Sequence, residues 1–281
     1  MAIFYNQATL NLGGNTINSN VTAGEILAGL AFTKVAASQD YAKGDSITYI
    51  VSAVNSGTQD QTGITLTDDL GAFAYGSGTL VPLTYIDGSV KLYVNGAQAV
   101  APTVTSTSPL TFGNVTVPAG GNVIIVYEAR VNEFAPLEEG ALITNNATLT
   151  GVESLTDSAE VPVRDGVALS IAKTLCPTVV TDNGNVTYTF VIQNAGNLPV
   201  VATDNLTVTD TFTPALTNVS VTLNGEELTD GVGYNYNTVT GEFATTNGTI
   251  TVPAAAYTRD AVTGAIITTP GYAVLVVSGQ I

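Results

Sequence analysis

Three side-chain types recur in this chain on strand faces that should be apolar, and together they could make an amide bond. In LAFTKVA (30–36), Lys34 shares a face with Leu30 and Phe32, because alternate residues of a strand point the same way. In ITLTDDL (64–70), Asp68 falls with Ile64, Leu66 and Leu70, and in ITNNATL (143–149), Asn145 falls with Ile143, Ala147 and Leu149. The set occurs twice. Lys173 falls with Leu169, Ile171 and Leu175, Asp210 with Leu206, Val208 and Phe212, and Asn6 with Phe4, Ala8 and Leu10. Burial disfavours charge, so such an amine can become neutral and such an acid protonated. A neutral amine is a nucleophile, and a protonated carboxyl can polarise a carboxamide and shuttle its proton. The product would be a Lys–Asn isopeptide bond, formed with loss of ammonia, with Asp68 and Asp210 as the promoting acids. The same residues also fit a buried Lys–Asp ion pair with Asn hydrogen-bonded beside it, a device that can specify register.

The elements that must position these residues are strands. Runs alternating Thr, Val, Ile, Leu and Tyr, bounded by Gly, Asn, Asp and Pro, fill the chain, and helix signals are almost absent. This pattern predicts an all-β protein built of antiparallel β-sandwiches. The chain also aligns with itself. SITYIVSAVNSG (46–57) matches NVTYTFVIQNAG (185–196), and ITLTDDL (64–70) matches LTVTDTF (206–212). SVKLYVNG (89–96) matches SVTLNG (220–225), VTVPAGG (115–121) matches ITVPAAA (250–256), and NVIIVYEARV (122–131) matches YAVLVVSGQI (272–281). The expected organisation is N-terminal strands over 1–29, a first sandwich over 30–166 and a second over 167–281.

The two units differ in one place. The first continues to ITNNATLTG (143–151) and LTDSAEVPV (155–163), whereas the second stops at Ile281, and a similar pair, FYNQATLNLGG then TINSNVTAGEI, opens the chain. A sandwich lacking two strands exposes unpaired backbone groups and an open core, and a strand from another chain can satisfy both. The expectation is therefore a homopolymer joined head to tail by donor-strand complementation. Phe4, Asn6, Ala8 and Leu10 form the inserted face, and the interface is heterologous. Lys34–Asn145 would then be intramolecular and Lys173–Asn6 intermolecular. The alternative is a monomeric binding module whose N-terminal strands fold back into its own second unit. A linker of three residues, Leu27–Gly29, spans about 10 Å against a domain some ~40 Å long, which disfavours that closure.

Composition narrows the function classes. Charged residues are only 11% of the 281, with 23 acids against 7 bases and a net charge of −16. So few bases argue against nucleic acid, which needs basic patches, and against anionic lipid. No apolar run approaches the ~20 residues of a membrane helix, so no membrane insertion is expected. There is no His, the usual acid–base residue and the commonest metal ligand, and an enzyme is not expected. The one cysteine, Cys176, is expected as a buried or partly buried free thiol. Asp182-Asn183-Gly184-Asn185 and Asp204-Asn205 offer oxygen ligands but read first as turns, so no metal or cofactor is expected. Asp68 and Asp69 point to opposite faces and cannot share a substrate. The opening MAIFYNQATL has neither the basic nor the apolar stretch of a signal peptide. It reads as a mature end or as a subunit assembled inside a cell and released later, as in a spore appendage.

The residues Lys34, Gly44, Asp45, Thr48, Tyr49, Asn55, Gly57, Asp68, Asn145 and Ala147, repeated as Lys173, Gly184, Thr187, Tyr188, Asn194, Gly196 and Asp210 with Asn6 and Ala8 displaced to the start, carry a resemblance. The pattern resembles the bacterial surface repeat called domain of unknown function eleven, departing from it at Asn185, where the pattern has Asp. The resemblance implies two tandem Ig-like sandwiches and a bacterial surface or fibre protein; with the reading of the N-terminus, the expected location is extracellular, on a bacterial cell or spore surface. Surface proteins of that family carry a signal peptide and a wall anchor not seen in these residues, which leads to the expectation of a free, pilus-like polymer subunit.

Overall fold

The computed structural model describes residues 3–25, 29–151 and 154–281. Leu27 and Ala28 of the expected linker lie outside them. Every regular element among the described residues is a strand, apart from one 3-10 turn at Ala202–Asp204. The chain divides into two compact units, Met1–Ala135 with Ile143–Val161, and Pro136–Leu142 with Pro162–Ile281.

The first unit opens with four short strands, β1 (Ile3–Asn6), β2 (Thr9–Leu12), β3 (Asn15–Asn18) and β4 (Thr22–Glu25). Among the described residues they pair only with one another, β1 with β4 and β2 with β3. The sandwich follows as β5 (Leu30–Ala36), β6 (Ser46–Asn55), β7 (Gln61–Asp68), β8 (Phe73–Tyr75), β9 (Gly78–Leu80), β10 (Leu83–Tyr85), β11 (Lys91–Val94), β12 (Ala97–Ala99), β13 (Thr103–Thr107), β14 (Leu110–Val117), β15 (Asn122–Val131), β16 (Leu142–Thr150) and β17 (Leu155–Pro162). One sheet runs β12-β11-β15-β6-β5, with β10 also on β15, and the other β13-β14-β7-β16-β17. Alternation explains the core. β6 buries Ile47, Tyr49, Val51 and Ala53, and β15 buries Val123, Ile125, Tyr127, Ala129 and Val131. They meet Ile64, Leu66, Phe112, Val115 and Leu149 of the other sheet, as two inner faces of a sandwich must.

The second unit repeats the five-strand path of the first sheet, without a counterpart of β10 among the described residues. It contains β18 (Leu169–Cys176), β19 (Asn185–Asn194), β20 (Thr209–Thr211), β21 (Thr217–Leu223), β22 (Glu226–Leu228), β23 (Tyr234–Tyr236), β24 (Glu242–Thr245), β25 (Ala256–Arg259), β26 (Ile266–Thr269) and β27 (Gly271–Gln280). Its long sheet runs β22-β21-β27-β19-β18, the order of β12-β11-β15-β6-β5. Its other sheet is shorter, β20-β24-β23. The core is Phe190, Ile192, Phe212, Leu216, Phe243, Leu275 and their neighbours. The fold is thus all-β, as expected.

Two repeat residues hold the long strands' ends. Asn55 is buried, and its Nδ2 donates to the carbonyls of Gln59 (2.8 Å) and Val117 (3.2 Å) while its Oδ1 accepts from Gly57 N (3.0 Å). Asn194 makes the same three bonds, to Leu198 O (2.7 Å), Pro253 O (3.2 Å) and from Gly196 N (2.9 Å). At the start of β19 the backbone corrects the sequence match. Gly44 N bonds Val131 O at φ 86°, and it is Asn183, at φ 62°, that bonds Ile281 O. Asn183 therefore holds the Gly44 position, with Gly184 in that of Asp45. Asn tolerates the left-handed region better than most side chains, which permits the one-residue offset.

Candidate functional site

In the first unit the three sequence-selected residues all point inward. Lys34 comes from β5, Asp68 from the end of β7 and Asn145 from β16, and the three are 3%, 0% and 0% exposed. Lys34 thus belongs to one sheet and the other two to the facing one. β7 and β16 are paired with Ala147 opposite Asp68, which puts Asn145 on the same face two residues along.

Lys34 Nζ lies 2.6 Å from Asp68 Oδ2. Tyr127 donates its hydroxyl to the same oxygen, and Leu70 N donates to Oδ1 at 3.0 Å. The amine also sits 4.8 Å from the ring centre of Tyr49, which stacks on Tyr127 at 5.6 Å. The Asn145 amide faces both phenols. Its Oδ1 accepts from Gly71 N at 3.2 Å, but among the described residues its buried Nδ2 has no hydrogen-bond partner, nor has the Tyr49 hydroxyl.

The local backbone sets this up. After Asp68 the chain turns through two residues of positive φ, Leu70 (55°) and Gly71 (75°). A side chain at Gly71 would meet Ile143 Cγ2 at 2.8 Å, so only glycine lets its N–H reach Asn145. Asp69, on the opposite face, binds Gly71 N (2.8 Å) and Asn146 Nδ2 (2.7 Å) and ties β16 to this turn. Asp157 of β17 accepts from Lys34 N at 2.7 Å, fixing β5 at its outer edge.

Burial is the largest influence on Lys34, Tyr49 and Tyr127. It pulls the Lys34 amine below its ordinary value, against the opposing pull of Asp68, and pushes the phenols of Tyr127 and Tyr49 up. Chemically the pocket holds an amine, an acid within proton-transfer reach and a carboxamide with a free NH2, all shielded from water. From the sequence, Tyr49 is named only as part of the repeat pattern and Tyr127 not at all, and neither is assigned to the site. The signal was available: Tyr127 shares an inner face with Val123, Ile125 and Ala129, and a buried phenol needs a partner.

In the second unit the corresponding pair is open. Lys173 and Asp210 are in contact, but their side chains are 40% and 19% exposed. Lys173 Nζ sits over the rings of Tyr188 (4.7 Å), Phe190 (5.3 Å) and Phe212 (5.3 Å). β18 is exposed along most of its length, including Leu169 and Ile171. β20 pairs only with β24 among the described residues, whereas β7 is flanked by both β14 and β16. Asn6 lies on β1, opposite Thr22, and Phe4, Asn6, Ala8 and Leu10 are all exposed. Cys176 is exposed too. The expectation of a buried or partly buried thiol fails because β18 is an edge strand with one neighbour. Among the described residues no group of three His, Cys, Asp or Glu is placed to hold a metal ion, and no helix is long and apolar enough to cross a membrane.

No family model matches the chain, and no curated protein matches it. Solved structures similar to it include the pilus backbone RrgB of Streptococcus pneumoniae, at 15% identity and TM-score 0.35, covering 86% of this chain and 55% of that one. The major pilin BcpA of Bacillus cereus is similar at 12% identity and TM-score 0.36, covering 98% and 74%. ACE19, the collagen-binding subdomain of Enterococcus faecalis ACE, is similar at 8% identity and TM-score 0.33, covering 50% and 99%. The chain spans about half the length of the pilus backbone. Likeness at this level carries no argument about function.

Proposed function

We propose that this chain is the structural subunit of an extracellular bacterial fibre, on a cell or spore surface, that polymerises head to tail by donor-strand complementation and is stiffened by a Lys34–Asn145 isopeptide bond. One observation carries the reading. Phe4, Asn6, Ala8 and Leu10 repeat Ile143, Asn145, Ala147 and Leu149 position for position. The latter four are buried, Ile143 and Leu149 at 2%, while Phe4 and Leu10 are 63% and 64% exposed. A segment patterned for burial and left in solvent is patterned for a partner, and β20, the second unit's counterpart of β7, has an open edge. Strand addition there would supply ladder hydrogen bonds and four inward side chains, with roughly 25 cal/mol gained per Å² of apolar surface covered. The resemblance to the domain of unknown function eleven repeats supports a surface location.

Within the first unit the balance is simple. Asp68 takes the Lys34 proton, the neutral Nζ attacks Cγ of Asn145, the Nζ–Cγ bond forms, and Cγ–Nδ2 breaks with Nδ2 leaving as ammonia. The second amine proton goes to Nδ2 as it leaves, and Asp68 hands the first to the departing ammonia, making ammonium, so Asp68 ends in the protonation state in which it began. The test is Ala8→Glu in the full chain. Ala8 is exposed in the single subunit, so its fold should be unchanged, while a carboxylate carried into a core should abolish filaments seen by electron microscopy. Filaments as abundant as those of the unsubstituted chain would overturn the reading, as would an unsubstituted chain that stays monomeric.

A further inference from the structure

We infer that the Lys173–Asp210 pair is a dormant crosslinking site that fires only when the N-terminal strands of a second copy of this chain cover it, joining Lys173 of one subunit to Asn6 of the next. The inference rests on the fibre reading and adds to it a chemical site, its substrate and its control.

The comparison between the units carries it. The first pair has no side-chain surface exposed, the second 40% and 19%. The elements that seal the first are known. β16 lies against β7 and brings Asn145, and Asp157 of β17 binds the backbone of Lys34. In the second unit the places beside β20 and β18 are unoccupied among the described residues, while the amine is already in contact with its acid and cradled by three aromatic rings. Water reaches this amine and its acid, whereas none reaches Lys34 and Asp68. Insertion of β1 and β2 from a second copy would expel that water and bring a carboxamide, Asn6, in the register that Asn145 holds. One proton then passes from Lys173 to Asp210, Nζ bonds Cγ of Asn6, the Cγ–Nδ2 bond breaks with the second amine proton going to Nδ2, and Asp210 hands its proton to the departing ammonia. No oxidant, metal or second reactant is needed. Occupation by some other strand would bury the pair without presenting a carboxamide at that position, so the match of Asn6 to Asn145 selects the occupant.

The second site also differs in its support. Tyr127 stands opposite Tyr49 across β15 and β6, but Val277 stands opposite Tyr188 across β27 and β19. The phenol that donates to Asp68 therefore has no equivalent at Asp210, and the intermolecular bond should form more slowly than Lys34–Asn145.

The experiment mixes nitrogen-15-labelled and unlabelled full-length chains, lets them assemble, boils them in detergent and sequences linked peptides by mass spectrometry. Expected are heavy–light peptide pairs joining Lys173 to Asn6, lighter by one ammonia, and a ladder on the denaturing gel. Lys173→Met should keep the filaments but lose the ladder, and Lys34→Met should keep both. In Ala8→Glu monomers, Lys173 should remain open to an amine-reactive ester. Filaments that dissolve into unlinked monomers, or a ladder that survives Lys173→Met, would overturn the crosslink while leaving the fibre standing. Heavy–heavy and light–light pairs without mixed ones would show closure within one chain and overturn both.

Discussion

Lys34 and Asp68 meet at 2.6 Å between two sheets, with no side-chain surface exposed on either. Removing either partner of such a pair leaves the other as an uncompensated buried charge, whereas replacing both by apolar side chains need not. Asp68→Ala and Lys34→Met should therefore each cost about 3–5 kcal/mol beyond any loss of the crosslink, and Lys34→Met combined with Asp68→Leu much less than their sum. Denaturant melts of the three variants, each also carrying Asn145→Ala so that no crosslink forms, would show this. Single losses that simply add in the double variant would contradict a coupled pair.

Tyr127 should matter to the rate more than to the fold. Its ring packs on Tyr49 and Phe112 at 5.6 Å each, and Phe would keep that packing while losing the bond to Asp68. A hydrogen bond to a charged group contributes about 1.5–3 kcal/mol. Tyr127→Phe should accordingly slow formation of the Lys34–Asn145 bond about tenfold or more, followed as ammonia loss by intact mass in freshly refolded chain. An unchanged rate would remove Tyr127 from the mechanism.

The pH dependence of an uncrosslinked chain, Asn145→Ala, follows from the same burial. Lys34 gives up its proton at lower pH folded than unfolded, so between those values the unfolded chain holds more protons and stability rises with pH, up to the ordinary lysine value of 10.5. Tyr127 and Tyr49 hold theirs beyond the ordinary 10.0, so above that pH the folded chain holds more protons and stability falls. Urea melts from neutral to alkaline pH should trace a maximum near the tyrosine value. A flat profile would mean the lysine is not held below its normal range.

The interface and the fold are separable. Phe4→Ser should leave the melting of a monomeric Ala8→Glu chain within about 0.5 kcal/mol, as for other exposed sites. In the polymerising chain the same change should raise the concentration at which filaments appear, since a buried Phe contributes roughly 1.5–3 kcal/mol.

Asn55 and Asn194 should behave alike. Each is itself buried and donates to two backbone carbonyls, and Asn→Ala at either should cost about 1–3 kcal/mol by thermal melt without touching the crosslinks. A loss at one and not the other would break the equivalence of the two units.

Much of this was legible in the sequence. Period-two alternation put Ile64, Leu66, Asp68 and Leu70 on one face, and they are buried together; the repeats fixed which strands correspond, and the two long sheets share one order. The phenols were not legible as part of the site, because Tyr127 reads as one more apolar residue until its hydroxyl is seen to reach Asp68. The offset of Asn183 against Gly44 was hidden because a residue match ignores which backbone N–H meets the end of the neighbouring strand. Cys176 was misjudged for a related reason, since sequence alone does not show which strand lies at an edge.

The most direct test of the account is the structure of the assembled filament by cryo-electron microscopy. The account predicts Phe4–Leu10 of one subunit lying beside β20 of the next, with Phe4, Asn6, Ala8 and Leu10 turned into its core. A filament in which those side chains face solvent, or in which they enter their own subunit, would contradict it.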